Sequence, residues 1–234
     1  MNIDVPEQLK KIIKAGIEAN AEIDGSVAVG GSICSLFTHH RESVDIDFVM
    51  TNLIQRFDEV RQDLLEIPEW KEARVAVPVL MLGSLHGVEV GFRQLRRTVP
   101  LDTQIVETPD GNLIVPTINE LLRIKAFLCY NRNYTRDFVD FAELSCLKDN
   151  KTVVDVLSDL DEKFGWEKQP SIVVEVIKKL LLPNPHDLED EKHGFKKLRF
   201  LEPKLKTWPE VAAKCQEIGR LLSARILVDI SDET

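Results

Sequence analysis

The 234 residues carry 30 Lys+Arg against 39 Asp+Glu, a net charge of −9, with 44% hydrophobic and 29% charged residues. Such a chain can bury one large core or two small ones, and is too acidic for a general nucleic-acid binder. Its four cysteines show no C-x-x-C spacing, no apolar run reaches membrane-spanning length, and the first residues lack the apolar core of a signal peptide. Those features exclude a disulfide framework or cysteine zinc cluster and lead us to expect a cytoplasmic protein with no membrane partner.

Apolar residues Val5, Leu9, Ile12, Ile13 and Ile17 recur at helical spacing and predict an amphipathic opening helix. The short run Val27 to Val29, then Gly30-Gly31-Ser32, then Ile33 to Thr38 reads as strand, tight turn and helix, which places the glycines at a helix N-terminus. In Val44 to Met50 apolar and acidic residues alternate, so Asp45 and Asp47 share one face of a strand. A polar helix is expected from about Leu53 to Leu65. Val75 to Leu82 and Val88 to Leu95, flanking Gly83-Ser84-Leu85-His86-Gly87, read as a hairpin in which Glu89, Gly91 and Arg93 share a face. Ile105 to Thr108 and Leu113 to Val115, around Pro109-Asp110-Gly111-Asn112, read as another.

After Pro116 helices dominate. Thr117-x-x-Glu120 is a capping-box pattern opening a helix through Lys125 to about Tyr130, and Thr135 caps another from Arg136 to Leu147. Lys151 to Phe164, Ser171 to Leu182 and Glu210 to Leu227 make three more. The expected architecture is α+β, a mixed β-sheet with flanking helices over residues 1–116 followed by a helical domain over 117–234.

Two carboxylates at i and i+2 on a strand lie about 7 Å apart and can share a divalent metal, and hard oxygen ligands suit Mg²⁺ or Mn²⁺ on a triphosphate. A helix N-terminus opened by glycines offers free N–H groups and a favourable dipole to phosphate oxygens. Together they point to nucleotide chemistry. The segment VAVGGSICSLFTHHRESVDIDFV resembles the signature of the DNA-polymerase-β-like nucleotidyltransferase superfamily, and specifically of the AbiEii toxin family. Pro116 to Lys125, with Arg136-Asp137-Phe138-Val139-Asp140, is similar to the block of lysine, Arg-Asp and further Asp that such families carry on the helices that follow.

The resemblance implies a nucleotidyltransferase-type sheet and transfer of an NMP from an NTP to a hydroxyl of an RNA, such as a tRNA, or of a protein. It further implies a toxin with a partner antitoxin or a role in phage defence. Gly30, Gly31, Ser32, Lys125 and Arg136 would hold the nucleotide, Asp45 and Asp47 the metal, and Asp137 would complete the site. The family's third acidic residue aligns with either Glu89 or Gly91, and a glycine there would leave a catalytically impaired nucleotide-binding or protein-interaction module. Lys125 with Asp137, and Arg136 with Asp140, also read as plain ion pairs. Arg93, Arg96, Arg97 and the stretch Lys192 to Lys206 are weighed as an RNA grip against an ordinary solvated face.

Overall fold

Alternation of apolar and acidic residues decides which side of the central strand is wet. In a computed structural model that describes residues 1, 3–165 and 170–232, the last four as backbone only, that strand is β2, Asp45–Met50. Ile46, Phe48 and Met50 are buried on one face, while Asp45 and Asp47 are half-buried on the other. A five-stranded sheet forms in the order β1-β2-β5-β4-β3, from β1 Val27–Val29, β2, β3 Lys71–Ala76, β4 Leu80–Leu85 and β5 Val88–Gln94. Only β2 and β5 run parallel, so the sheet is mixed.

The inner face is a stack of apolar side chains, with the Phe48 and Phe92 rings parallel at 4.8 Å across the β2–β5 seam. Helices α1 (Glu7–Glu22), α2 (Gly31–Thr38) and α3 (Leu53–Glu66) pack on this sheet. Helix α1 approaches so closely that a Cβ on Gly16 would collide with Ile46. It is also longer than its periodicity suggests, because Asn20 anchors its last turn. The Asn20 amide donates to Ser26 and its carbonyl oxygen accepts from the Ile114 amide at 3.0 Å. Ile114 lies on the two-stranded sheet of β6 (Thr103–Thr108) and β7 (Gly111–Pro116).

The hairpin expected from Val75 to Leu95 differs from the observed one. Its turn is only His86-Gly87, both at positive φ (52° and 77°), which the twist of a two-residue connection favours. The run Val75 to Leu82 is two strands rather than one. Pro78 has no N–H to give the ladder, and the chain reverses there, with the Val79 amide bonded back to the Ala76 carbonyl at 2.8 Å.

The chain divides into two compact units, Met1–Thr117 and the residues from Ile118 on. The second is helical, with α4 Ile118–Asn131, α5 Thr135–Ser145, α6 Asn150–Leu157, α7 Leu160–Phe164, α8 Ile172–Leu181 and α9 Trp208–Asp232. The helix expected over Lys151 to Phe164 breaks at Ser158-Asp159. There the Asp159 carboxylate is held by the Arg123 guanidinium at 2.6 and 2.8 Å. Glu143 on α5 accepts the amides of Lys204 and Leu205 and so straps the irregular segment before α9 onto the bundle.

Candidate active site

Gly30 closes β1 with φ at +96°, a conformation that side-chain-bearing residues rarely adopt, and turns the chain directly into α2. The first amides of α2 have no acceptor from within the helix, so this turn presents backbone donors and the positive end of the helix dipole. Ser32 is buried, and its hydroxyl donates to the Asp45 carbonyl oxygen. Its side chain therefore ties the start of α2 to the start of β2, and what Ser32 offers a phosphate is its backbone amide.

Asp45 and Asp47 stand two residues apart on the polar face of β2. The Asp45 Oδ1 accepts from the Ser43 hydroxyl at 3.1 Å. The Asp47 Oδ1 accepts from the Arg93 Nε at 3.4 Å. Gly30 lies against Asp47, since a Cβ at Gly30 would come within 3.9 Å of its carboxylate. The glycine turn and the aspartate pair thus meet in space.

The parallel pairing of β2 with β5 sets Glu89 level with Asp45 and Gly91 level with Asp47. Both β5 positions face the same way, and Glu89 is exposed. Gly91 lies close against its neighbours, and a Cβ there, 2.6 Å from Asp47 Oδ1 and 2.9 Å from Leu82 Cδ2, would require the tip of one of those side chains to move. Glu89 is therefore the β5 carboxylate on this face, displaced by one pleat repeat from the level of Asp47.

Two arginines of this region were not assigned to the site by sequence reasoning. Arg41 is buried, with its guanidinium against the backbone of Gly31 and its Nη1 donating to the Glu42 carbonyl at 3.0 Å. Its signal was a basic residue between the glycine turn and the aspartates. Arg93, weighed only as an RNA contact, folds back over Gly91 to reach Asp47. Arg97, weighed as an RNA contact against a solvated face, is buried and holds the Val99 and Pro100 carbonyls at 2.8 and 2.9 Å, so its guanidinium serves as a loop tie. Phe195 and Phe200, weighed for stacking, are half-buried and pack on each other at 5.1 Å, with Phe195 also against Trp208.

In the helical unit Lys125 is 3% exposed, and its ammonium lies 2.9 Å from Asp137 Oδ1 and 2.7 Å from Asp140 Oδ2. Asp140 turns inward to this lysine rather than to Arg136. The Arg136 guanidinium is exposed and lies over the Tyr134 ring at 5.6 Å.

The donor set suits a single hard divalent cation. Asp45 and Asp47 supply two carboxylates beside backbone donors for phosphate, and Mg²⁺ characteristically takes one or two carboxylates plus phosphate oxygens and water. Among the described residues no group of three or more His, Cys, Asp or Glu side chains could hold a metal without such help.

No protein-family model matches the chain. The curated relatives it matches include the mycolic acid-containing lipids exporter MmpL11 of Mycolicibacterium smegmatis. That match is 31% identical over 130 residues, covering 53% of this chain and 13% of the exporter. The chain thus spans about an eighth of the length of these relatives, and among its described residues no helix is long and apolar enough to cross a membrane. Among solved structures it is similar to MenT4, a nucleotidyltransferase toxin of Mycobacterium tuberculosis H37Rv. The TM-score is 0.57 at 14% identity, over 92% of this chain and 82% of that one. A nucleotidyltransferase-like protein of Paracoccidioides brasiliensis aligns at TM-score 0.46 and 14% identity, over 71% and 93%. The likeness to MenT4 shows that the chain has a nucleotidyltransferase fold.

Proposed function

We propose that the chain is a metal-dependent nucleotidyltransferase that moves an NMP from an NTP to an acceptor hydroxyl. The observation that carries this reading is the meeting of Asp45 and Asp47 with the Gly30 turn at the head of α2. Backbone amides of the turn would bind triphosphate oxygens, and Asp45 and Asp47 would hold Mg²⁺ or Mn²⁺. A bound cation would neutralise phosphate charge and polarise the bond to the leaving pyrophosphate. The acceptor oxygen attacks the α-phosphorus, the bond to the pyrophosphate oxygen breaks, and the hydroxyl proton passes to a carboxylate, for which Glu89 is the exposed group on this face. The protein contributes alignment and charge rather than a covalent nucleophile.

An RNA or protein acceptor, a cytoplasmic setting and a toxin held by an antitoxin are the finer parts of the proposal. They rest on the AbiEii-like motifs and on the likeness in fold to a nucleotidyltransferase toxin. A second reading is favoured by one specific observation, that the β5 residue level with Asp47 is Gly91 and carries no carboxylate. Under it the chain binds nucleotide with metal but does not turn it over.

Incubation with each α-³²P NTP, Mg²⁺ and cell lysate, beside Asp45→Asn/Asp47→Asn, tests both. We expect a labelled macromolecule that disappears in the double variant. Metal-dependent NTP binding without label would select the second reading, and NTP binding unchanged in the double variant would sink both.

A further inference from the structure

We propose that Arg93 is a resident counter-charge of Asp47, displaced when a divalent cation takes that carboxylate and then available to bind the phosphates of the nucleotide. The inference rests on the nucleotide-site reading above and adds to it a substrate-binding residue and an order of events.

The geometry comes from the sheet. Asp47 pairs with Gly91, and Arg93 is the next residue on the same face of β5, level with Val49. Diagonal neighbours across a strand pair lie about 7–8 Å apart, within reach of a long side chain. Any side chain at position 91 would block that reach, and Gly91 leaves the path open. The guanidinium accordingly crosses the gap to the Asp47 Oδ1, at an Nε distance of 3.4 Å. Neighbouring Arg97 shows the contrast, since its guanidinium is buried on two carbonyls while the Arg93 side chain is 42% exposed.

The contact is a weak one. At 3.4 Å, with the Asp47 side chain 30% exposed, it is a long, water-accessible pair of the kind that contributes little to stability. It nonetheless sets a positive charge on the Oδ1 of a carboxylate whose Oδ2 lies toward the Gly30 turn. A divalent cation on that carboxylate and the guanidinium repel each other, so the two compete electrostatically, and the cation carries twice the charge. Once displaced, Arg93 is a planar fork of donors on the same polar face, a shape suited to paired phosphate oxygens. The nucleotide would then restore the charge balance that the arriving cation upset.

Competition gives a pair of effects with opposite signs. In the 234-residue chain, Mn²⁺ binding alone would be titrated for wild type, Arg93→Ala, Arg93→Lys and Asp45→Asn/Asp47→Asn. A non-hydrolysable NTP and the matching nucleoside would then be titrated at saturating Mn²⁺. Arg93→Ala should bind Mn²⁺ alone about two- to fivefold more tightly, as expected for loss of one weak competing pair. It should bind the NTP about tenfold more weakly with the nucleoside unaffected, and Arg93→Lys should fall between on both counts. Mn²⁺ affinity unchanged or reduced in Arg93→Ala, or equal losses for NTP and nucleoside, overturns the inference alone if Mn²⁺ binding still vanishes in Asp45→Asn/Asp47→Asn. Mn²⁺ binding that survives the double variant overturns both the inference and the site reading.

Discussion

Lys125 is the residue for which the structure makes the sharpest energetic demand. Its ammonium is bonded at 2.9 Å to Asp137 and 2.7 Å to Asp140, and the three side chains are 4%, 1% and 0% exposed. Lys125→Ala would leave two buried carboxylates whose oxygens, held until then by one nitrogen, lie at most about 5.6 Å apart. Like charges so close and so desolvated repel each other strongly once the ammonium between them is gone. Breaking a buried pair by removing one partner costs about 3–5 kcal/mol. For a unit of this size that corresponds to a fall of roughly 10–20 °C in unfolding temperature. Circular dichroism melts of the intact chain without nucleotide would read it. A triple variant, Lys125→Met/Asp137→Asn/Asp140→Asn, replaces these three charges with neutral groups and should recover much of the loss. A loss of less than about 1 kcal/mol would refute the buried cluster. The same experiment controls any activity assay, because inactivity of a Lys125 variant is evidence about phosphate only where the fold is intact.

Gly91→Ala should change stability by less than about 1 kcal/mol in chemical denaturation, because the methyl meets only the movable tips of Asp47 and Leu82 and the glycine has no positive φ; a loss above about 3 kcal/mol would show that those side chains are locked in place. Burial raises the thiol pKa of half-buried Cys146 and raises those of fully buried Cys129 and Cys215 as well. Ellman's reagent at pH 8 should therefore reach Cys146 first and the buried Cys34, Cys129 and Cys215 only through unfolding, and raising the pH to 10 should speed Cys146 while costing stability as unfolded thiols ionise. Equal, immediate reaction of all four would contradict that burial.

What could be read in advance was whatever a short period encodes. Alternation in Asp45–Met50 and in Val88–Gln94 places Asp45 with Asp47, and Glu89 with Gly91 and Arg93, on common faces, and the strands observed have those faces. The nucleotidyltransferase fold was legible through the resemblance that the segment with the glycine turn and the aspartates bears to that superfamily. The turn at Pro78 was not, because Val75 to Leu82 is uniformly apolar and a reversal within it changes no period. The α6–α7 break was similarly hidden, since its cause is Arg123 gripping Asp159 from a helix some thirty residues earlier in the chain.

The level of β5 against β2 is the part of the site that no local pattern carries. These strands are distant in sequence and meet as parallel neighbours, so which β5 residue stands beside Asp47 is decided by packing on the inner face, where Phe48 stacks on Phe92. That aromatic pair, on the side away from the chemistry, brings Gly91 beside Asp47 and Glu89 beside Asp45. A slip of two residues would keep every side chain on its face and the hydrophobic core nearly intact, yet it would change the catalytic face entirely. It would set either Glu89 or Arg93 level with Asp47, and thus turn the counter-charge at the proposed metal position negative or positive. The reach of Arg93 depends on that same register, because it crosses a gap only while a glycine lies between it and Asp47. The chemistry of the polar face is therefore specified by the shape of the apolar one, and a substitution such as Phe92→Leu should disturb the site without touching any residue in it.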